Sequence, residues 1–475
     1  MTPVPRRREV LSGLAGALML GACTTPAMSP SAQTLVPVLK SKTQWPVIIF
    51  VHGNGDSASI WQTTLWRFES NGWPVDHLHA IDMPYPLARD DDTVAQPGRS
   101  SITQYTDFLA SEVSRLLATT GARQVVLMGN SRGGYPIRNY INNGGGAARV
   151  SHAILCGTPN HGVWAIPGYR EGSEFAGTGT FLKGLNAPKN AQGDEVIGPV
   201  KWLTIRSDGN DKFAQSDGVW IGRKGQPTFV TANGPELKGA NNVVIDRIDH
   251  RETAFSAAAF AAAHAFILGQ PAATLAITPQ DIVLLDGKIT SLGLAPLDPS
   301  SGNFANNLPL PGAHLDIYAS DANTGARAGP AVHSVSVGSG GRWGPFRASA
   351  GAAYEFVISA PGYAITHIYR SPFARSSQLI HLRAERLPDA DKDAKAWVTL
   401  SRPRGYFDAQ RDTMRFDGQS PPPGLPSSGA GISTSKIKLS NDVQRPIAAE
   451  FNGERITGQT WSVEQGHLVF LELTF

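Results

Sequence analysis

The segment Gly-Asn-Ser-Arg-Gly at residues 129–133 constrains the fold of this chain more than any other feature. It follows an apolar run at residues 124–128 and precedes a segment with helical spacing at residues 134–141. This order predicts a buried strand, a sharp turn and a helix, with Ser131 at the turn. The glycines allow strand and helix to pass close together, and the helix N-terminus favours developing negative charge. The segment therefore predicts a serine hydroxyl that stands clear of a sheet and acts as a nucleophile.

Apolar runs alternate with helical patterns over residues 45–270. Strands are predicted at residues 47–51, 77–81, 124–128, 150–156, 200–206 and 242–245, and helices at residues 59–69, 102–118 and 253–268. Strands that alternate with helices of this length are typical of a doubly wound, mostly parallel sheet. We therefore predict an α/β domain over residues 45–270.

The composition changes after Gly269-Gln270-Pro271, and short alternating segments separated by turn residues follow. Strands are predicted at residues 281–285, 314–318, 354–358, 378–382 and 467–473. This pattern predicts an all-β C-terminal region. We expect a β-sandwich-like domain over residues 272–390 and a second β-rich module over residues 391–475.

The N-terminus has the pattern of an export signal, which we place at residues 1–23. Three arginines at residues 6–8 resemble a twin-arginine signal, and the Leu-Gly-Ala-Cys segment that ends at Cys23 resembles a bacterial lipobox. The apolar stretch between them is too short for a stable membrane span. We expect a lipidated Cys23, a tether over residues 24–44 and a periplasmic or cell-envelope lipoprotein. The alternative is a plain secretory signal with an incidental cysteine, which implies a secreted protein.

The composition excludes several classes of function. The net charge is +3 and no long basic block occurs in the body of the chain, which argues against nucleic-acid binding. The second cysteine, Cys156, lies in an apolar run and is expected to be a buried core residue. The chain has no metal-binding pattern, phosphate loop or dinucleotide fingerprint. We therefore predict no metal and no cofactor.

A nucleophilic serine needs a histidine base within hydrogen-bond reach, and the base needs an orienting carboxylate. In hydrolases built on a parallel sheet, the serine, the acid and the histidine follow in that order along the chain. His250 is the candidate base because it follows the last predicted core strand and precedes the final helix. His161 and His264 are its rivals, but His161 is expected to shape the site and His264 lies within an Ala-rich helix.

The acid is expected to follow the strand at residues 200–206. Asp211 is the favoured candidate and Asp208 is the alternative, since both lie in the turn Ser-Asp-Gly-Asn-Asp at residues 207–211. The carboxylate that does not orient the histidine is expected to stabilise the turn itself.

An oxyanion hole needs two N–H groups aimed at the developing negative charge. The backbone N–H of Arg132, directly after the serine, is one expected donor. The other is the N–H of Asn54, in the loop His-Gly-Asn-Gly-Asp at residues 52–56. His52 is expected to brace this loop.

With these motifs in order, together with Thr-Pro-Asn-His-Gly at residues 158–162 and Asp-His-Arg-Glu at residues 249–252, the chain resembles bacterial lipases and esterases of the α/β-hydrolase superfamily. The resemblance covers about residues 45–270. The overall plan is also similar to an archaeal long-chain lipase that carries a C-terminal β domain. The resemblance implies hydrolysis of carboxylic esters through an acyl-enzyme, without a cofactor.

Two features leave the substrate open. Arg132 stands where lipases often carry a smaller or apolar residue, so its charge either attracts carboxylated substrates or pairs with a nearby acid. Insertions at residues 164–200 form a cap in many family members. The apolar residues of this segment either line an acyl pocket or anchor the insertion to the core: Phe175, Phe181, Leu182 and Leu185.

These patterns favour a serine esterase or lipase that acts on a small-molecule or lipid ester and is tethered to a membrane through Cys23. An alternative with the same three residues is a depolymerase of polyesters such as poly-3-hydroxyalkanoate, in which the β region holds the polymer. A third alternative, from another class, is a non-catalytic surface-binding lipoprotein on an inactive hydrolase scaffold.

Overall fold

The computed structural model of the chain describes residues 45–292 and 305–475. The predicted export signal, Cys23 and the tether lie outside the described residues. Residues 45–475 form one unit by their internal contacts. In these two ranges, no helix is both long and apolar enough to cross a membrane.

A six-stranded parallel sheet forms the centre of residues 45–270, with the order β2-β1-β5-β6-β7-β8. The strands of this region are β1 (Val47–Val51), β2 (Leu78–Ile81), β3 (Leu87–Ala88), β4 (Arg99–Ser100), β5 (Val125–Asn130), β6 (Val150–Cys156), β7 (Lys201–Ser207) and β8 (Asn241–Ile245). The short strands β3 and β4 pair with each other. The predicted α/β class is confirmed.

Helices cover both faces of this sheet. They are α1 (Gln62–Ser70), α2 (Ile102–Thr120), α3 (Gly134–Asn143), α4 (Thr180–Leu185), α5 (Glu252–Phe255) and α6 (Ala257–Leu268). Apolar side chains of α2 and α3 pack on one face and those of α1 and α6 on the other. Both faces of each central strand are therefore buried, which explains the continuous apolar run of β1.

Local signals fix where the helices begin and end. Ser101 and Gln104 form a capping box at the start of α2, and Gly121 ends the helix in the left-handed conformation. The single helix predicted at residues 253–268 is wrong in one respect, because it is divided at Ser256. That residue has extended backbone, and its side chain accepts a hydrogen bond from the N–H of Ala259, so it caps α6 and ends α5.

The C-terminal region is built entirely from strands and loops in its described part. The strands are β9 (Ile282–Leu285), β10 (Ile289–Leu292), β11 (Ala305–Pro309), β12 (His314–Ser320), β13 (His333–Ser336), β14 (Phe346–Ser349), β15 (Ala353–Ser359), β16 (Ile365–Arg370), β17 (Leu382–Ala384), β18 (Ala396–Ser401), β19 (Met414–Phe416), β20 (Thr434–Leu439), β21 (Pro446–Phe451), β22 (Glu454–Gln459) and β23 (His467–Glu472). The predicted all-β class of this region is confirmed.

The largest sheet of this region has seven strands in the order β13-β12-β15-β16-β23-β18-β20. The last strand, β23, pairs in parallel with β16 on one side and with β18 on the other. The sheet therefore crosses the boundary that we predicted near residue 390. The strand predicted at residues 378–382 is wrong, since β17 begins only at Leu382 and Ile380 makes irregular hydrogen bonds with Asp286 and Trp343.

The β region packs directly against the α/β domain. Trp66 of α1 is buried in the apolar cluster of the β region, and its indole N–H donates to the carbonyl of Ser376 at 2.8 Å. Asp82, after β2, bonds His381 and Lys288 of the β region at 2.9 and 2.6 Å. Burial alone would raise the pKa of Asp82, but these two partners hold it well below its usual range.

Candidate active site

A cavity of about 330 Å³ lies beside the turn that carries Ser131. Ser131 and His250 both line it, although 119 positions of the numbering separate them. Most of its apolar wall is aromatic: Trp164, Tyr169, Phe175, Phe213, Trp220 and Tyr406. The charged residues of the lining are four arginines and two aspartates: Arg89, Arg99, Arg170, Arg251, Asp56 and Asp90.

The turn at Ser131 is sharp, and close packing of backbone enforces it. Ser131 has a φ of 54°, a left-handed conformation that is uncommon for a residue with a side chain. A Cβ atom on Gly133 would lie 2.5 Å from the carbonyl oxygen of Val51, and one on Gly129 would lie 2.7 Å from that of Gly133. Only glycine fits these two positions, because strand β1 lies against the turn at Gly133 and the turn folds back onto Gly129.

The His250 side chain is paired with a carboxylate. Its Nδ1–H donates to Oδ2 of Asp211 at 2.8 Å, and both side chains are buried. Oδ1 of Asp211 accepts the backbone N–H of Phe213 at 2.8 Å, and the Phe213 ring meets the imidazole edge-on with 4.6 Å between ring centroids. Asp211 and Phe213 together therefore fix the orientation of the imidazole.

The other ring nitrogen of His250, Nε2, is buried, and no described residue makes a hydrogen bond to it. Because Nδ1 carries the proton given to Asp211, Nε2 is the atom left to accept another. The loop of His250 is also joined to the serine turn. The amide of Asn130, directly before Ser131, donates to the carbonyl of His250 at 3.3 Å and to the Thr253 hydroxyl at 3.2 Å.

The alternative acid and the rival histidines lie elsewhere. Asp208 is exposed, and its Oδ1 accepts the backbone N–H of Arg247 and the hydroxyl of Ser207, as a turn-stabilising carboxylate does. His161 binds Glu195 at 2.8 Å, a hydrogen bond that raises the pKa of His161. His264 packs among Phe68, Trp73 and Phe260, away from the cavity.

The loop after β1 passes directly over Ser131. A Cβ on Gly53 would lie 3.0 Å from the Cβ of Ser131, and Asn54 lines the cavity. His52 holds this loop, since its Nδ1 donates to the carbonyl of Gly53 and its Nε2 accepts the N–H of Met83 at 3.0 Å. Burial lowers the pKa of His52, which favours the neutral ring that these two bonds need.

The Arg132 side chain points away from the cavity. It is fully buried, and its guanidinium binds the Glu174 carboxylate, with Nη2 3.0 Å from Oε2. It also donates to the carbonyls of Pro86 and Ser100. Of the two interpretations of this charge, the structure therefore supports pairing with an acid, and the pair connects the serine turn to the inserted segment.

Three of the four residues predicted for an acyl pocket do not line this cavity. Phe175 does, but Phe181, Leu182 and Leu185 pack in a cluster around Ile102 and Tyr135. The prediction is therefore corrected for these three. All three belong to the short helix α4, whose apolar side faces α2 and α3, so they anchor the insertion to the core.

Several lining residues were not expected from the sequence. Arg251 follows His250 directly, but the motif that contains both gives no signal that its side chain lines a cavity, and Asp56 stands at the end of the His-Gly loop. Tyr406 comes from the β region, about 150 residues beyond His250, and no local pattern marks it. Among the described residues, no group of three or more histidine, cysteine or acidic side chains could hold a metal ion.

Two family models match the chain. The model described as the alpha/beta hydrolase family matches residues 48–225, and the one described as the lipase C-terminal domain matches residues 281–387. A comparison with curated proteins gives no match.

Solved structures similar to this chain include lipase B of Aspergillus fumigatus, with 14% identity over 49% of this chain and 54% of that one and a TM-score of 0.34. This chain thus spans about half of the Aspergillus lipase. Lipase BlEst2 of Bacillus licheniformis in its propeptide form has 15% identity over 87% of this chain and 92% of that one, with a TM-score of 0.35. Carboxylesterase CesB of Bacillus subtilis has 14% identity over 48% and 85%, with a TM-score of 0.28. On these two matches, residues 48–225 belong to an α/β-hydrolase domain and residues 281–387 to a lipase C-terminal domain.

Proposed function

We propose that the protein is a carboxylic-ester hydrolase and that Ser131, His250 and Asp211 are its catalytic triad. The observation that carries the proposal is the 2.8 Å bond between His250 and Asp211 at a cavity that Ser131 also lines. The unpartnered Nε2 of His250 is the atom that this mechanism needs as a base.

In this mechanism Oγ of Ser131 attacks the ester carbonyl carbon while Nε2 of His250 takes the hydroxyl proton. Asp211 holds the imidazole in the required tautomer and stabilises its charged form. The backbone N–H groups of Asn54 and Arg132 bind the oxyanion. The imidazolium then gives its proton to the departing alkoxide as the carbon–oxygen bond breaks, and a water molecule releases the acid from the acyl-enzyme by the same steps.

A fluorophosphonate probe tests this assignment. We expect the probe to form one covalent adduct on the wild-type protein, located at Ser131 by peptide mass spectrometry, and to form none on the Ser131→Ala variant. Hydrolysis of p-nitrophenyl esters should be lost with the label. Ser111→Ala is the matched control, because Ser111 lies exposed on α2 and its hydroxyl bonds only the carbonyl of Phe108. Unchanged ester turnover by a folded Ser131→Ala variant would exclude the triad.

For the substrate we propose esters with short acyl chains. The cavity volume of about 330 Å³ lies at the low end of the range for small-molecule sites. Its aromatic wall suits a compact apolar group. A panel of p-nitrophenyl esters from acetate to palmitate tests this, and we expect kcat/KM to peak at the short end. A maximum at palmitate would contradict the proposal.

The charge of the cavity supports a second candidate, an oligomer of a hydroxy acid with a free carboxylate. Four arginines against two aspartates give the lining an excess of positive charge. Such oligomers are the fragments of a polyester such as poly-3-hydroxyalkanoate, the alternative substrate predicted from the sequence. We expect 3-hydroxybutyrate oligomers to be cleaved with a higher kcat/KM than their methyl esters, and the difference should shrink at high salt. Equal rates on acids and methyl esters would exclude a role for the carboxylate.

We also propose that the protein is exported and anchored through a lipid on Cys23, on the sequence pattern alone. Expression in a bacterial host with radiolabelled palmitate tests this. Wild-type protein should carry the label in the membrane fraction, and Cys23→Ala should lose it. Label in neither protein would indicate a plain secretory signal.

A further inference from the structure

We propose that the segment from Arg402 to Gly431, between β18 and β20, positions both the base and the acid of the triad. The proposal rests on the proposed triad. Residues 402–431 lie outside both family matches, which end at residues 225 and 387. We call the contacting groups the clamp: the side chains of Arg402, Asp408 and Arg411, the backbone of residues 403 and 406, and that of residues 430–431.

The clamp binds the residue directly before His250. Oδ2 of Asp249 accepts Nη1 of Arg402 at 2.9 Å and the backbone N–H of Tyr406 at 2.7 Å. Asp249 is 0% exposed and Arg402 is 3% exposed. A buried carboxylate is stable only with such partners, so this contact fixes the backbone on one side of His250.

The clamp also binds the two residues that follow His250. The second guanidinium nitrogen of Arg402, Nη2, donates to Glu252 at 2.6 Å, so one side chain holds residues on both sides of His250. Arg411 donates to Glu252 as well and to the carbonyl of Arg247 at 2.8 Å. Nη1 of Arg251 donates to the carbonyl of Pro403 at 3.0 Å.

The acid loop is held in the same way. The Asn210 amide, directly before Asp211, donates to Oδ2 of Asp408 at 3.0 Å and accepts the backbone N–H of Ala430 at 3.2 Å. Nζ of Lys212, directly after Asp211, donates to the carbonyl of Gly431 at 2.8 Å. Residues on both sides of Asp211 and on both sides of His250 are therefore bonded to one segment of the β region.

This arrangement sets the relative position of the acid and the base. Asp211 and His250 lie on different loops, after β7 and β8, and their 2.8 Å bond requires those loops to keep their spacing. The clamp spans both loops at once, whereas the two loops belong to separate strands of the sheet. A small displacement of a catalytic group lowers the rate by about 10²-fold. Arg402 does not line the cavity and is thus a positioning residue.

Loss of Arg402 also changes the charge around His250. The charged groups near the imidazole, taken from every element that packs against its loop, are Asp56, Asp211, Lys212, Asp249, Arg251, Glu252, Arg402 and Arg411. Removal of Arg402 leaves Asp249 without its closest side-chain partner. Burial and the neighbouring Glu252 already raise the pKa of Asp249 to about 6, and loss of this cation raises it further, so the buried carboxyl takes up a proton near neutral pH and the contacts that hold the loop before His250 weaken.

Arg404 provides a matched control in the same segment. It is 2% exposed, as buried as Arg402, and its guanidinium donates to the carbonyls of Leu473 and Thr474 at 2.7 and 2.8 Å. It contacts neither triad loop; its one side-chain contact with the α/β domain is with Gln62. Loss of either arginine destabilises the fold, but only loss of Arg402 releases the loop of His250.

The experiment compares Arg402→Gln with Arg404→Gln in the full-length protein, at a temperature where circular dichroism shows both folded. We expect Arg402→Gln to lower kcat on p-nitrophenyl acetate by about 10²-fold with KM unchanged and to slow labelling by the fluorophosphonate probe. Arg404→Gln should keep the kcat and the labelling rate of the wild type. Arg402→Lys keeps the charge but not both bonds, so its kcat should lie between those of the wild type and the glutamine variant.

Equal kcat and equal labelling rates in the two glutamine variants would overturn the proposal, since the clamp would then only stabilise the fold. If Arg402→Gln does not fold, Arg402→Lys and Arg404→Lys are compared by the same criteria. Labelling of the wild type at Ser131 separates the two proposals: without that label the triad itself fails, and with it only the clamp is in question.

Discussion

The proposed nucleophile and the proposed acid–base pair of this site are held in place in different ways. Ser131 is positioned by its own neighbours along the chain and by strand β1, whose Val51 carbonyl packs against Gly133. The loops of Asp211 and His250 are bonded instead to a segment of the β region, and Arg402 lies 153 positions from Asp249. The serine turn is therefore encoded locally, whereas the geometry of its partners depends on a second domain.

This difference teaches how an α/β-hydrolase core can depend on an added β domain. The core supplies the strand ends on which all three groups sit, because parallel strands direct them to one edge of the sheet. The β region supplies hydrogen-bonding and charged partners for polar side chains in the loops of Asp211 and His250. Four substitutions test the two sides of the comparison, beginning with the largest expected effect.

The largest effect is expected for Asp211→Asn on the acid–base side. Without the carboxylate, nothing keeps the imidazole proton on Nδ1 and leaves Nε2 free to act as the base. We therefore expect kcat to fall by about 10⁴-fold while the protein remains folded. Steady-state hydrolysis of p-nitrophenyl acetate measures the change. Asp208→Asn, in the same turn, should stay close to the wild type, since the exposed Asp208 only accepts hydrogen bonds from Arg247 and Ser207. A large loss in that control would reverse the assignment.

Next in size is the effect of Glu174→Gln on the serine side. This change leaves the fully buried guanidinium of Arg132 without its charge partner, and we expect the free energy of unfolding to fall by about 3–5 kcal/mol. Urea unfolding measures it. Glu171→Gln, at an exposed residue of the same segment, is the control. A strong change of specificity between neutral and carboxylated esters, without a loss of stability, would show that Arg132 serves the substrate after all.

Gly133→Ala tests the local packing of the turn. The added methyl group would lie 2.5 Å from the carbonyl oxygen of Val51 and 2.6 Å from that of His52, so the turn must shift. We expect kcat to fall by about 10²-fold. Gly184→Ala, on an exposed turn of α4 where a Cβ meets no atom within 4 Å, should leave kcat unchanged and stabilise the protein slightly. Wild-type kcat in the Gly133→Ala variant would show that the turn tolerates displacement.

The smallest effect is expected from the titration of His52. Burial lowers its pKa below the usual 6.5, so on acidification the unfolded chain takes up this proton before the folded protein does. The contribution of the neutral ring to stability is complete above pH 6.5 and is lost as the pH falls through the lower folded value. Urea unfolding between about pH 5 and 8 measures the slope, which should be smaller in His52→Gln.

Much of the site was predictable because its signals are local. The glycine spacing around Ser131 predicted the turn, and the order of strands predicted that residues after β7 and β8 lie near it. The choice between Asp208 and Asp211 was open in the sequence, because both stand in one short turn. The structure places Asp211 against His250 and Asp208 against the backbone N–H of Arg247, and the catalytic roles themselves stay predictions.

The predictions that failed concerned side chains whose direction depends on distant neighbours. Phe181, Leu182 and Leu185 are apolar and lie in the inserted segment, which fits a pocket as well as an anchor. Whether they line a cavity depends on how α4 packs on α2 and α3, and the short helix has no sequence signal for that choice. Tyr406 was missed for the same reason.

By itself the sequence determined the class of the fold, the serine turn and the order of the three proposed catalytic groups. Each of these depends on residues that are neighbours along the chain, where side-chain spacing and glycine conformations leave few alternatives. Only the tertiary structure decided which aspartate meets the histidine, which acid pairs with Arg132, and that the β region holds the loops of the acid and the base. Those contacts join residues tens to hundreds of positions apart, and their energy comes from burial of complementary charges, which no local pattern records.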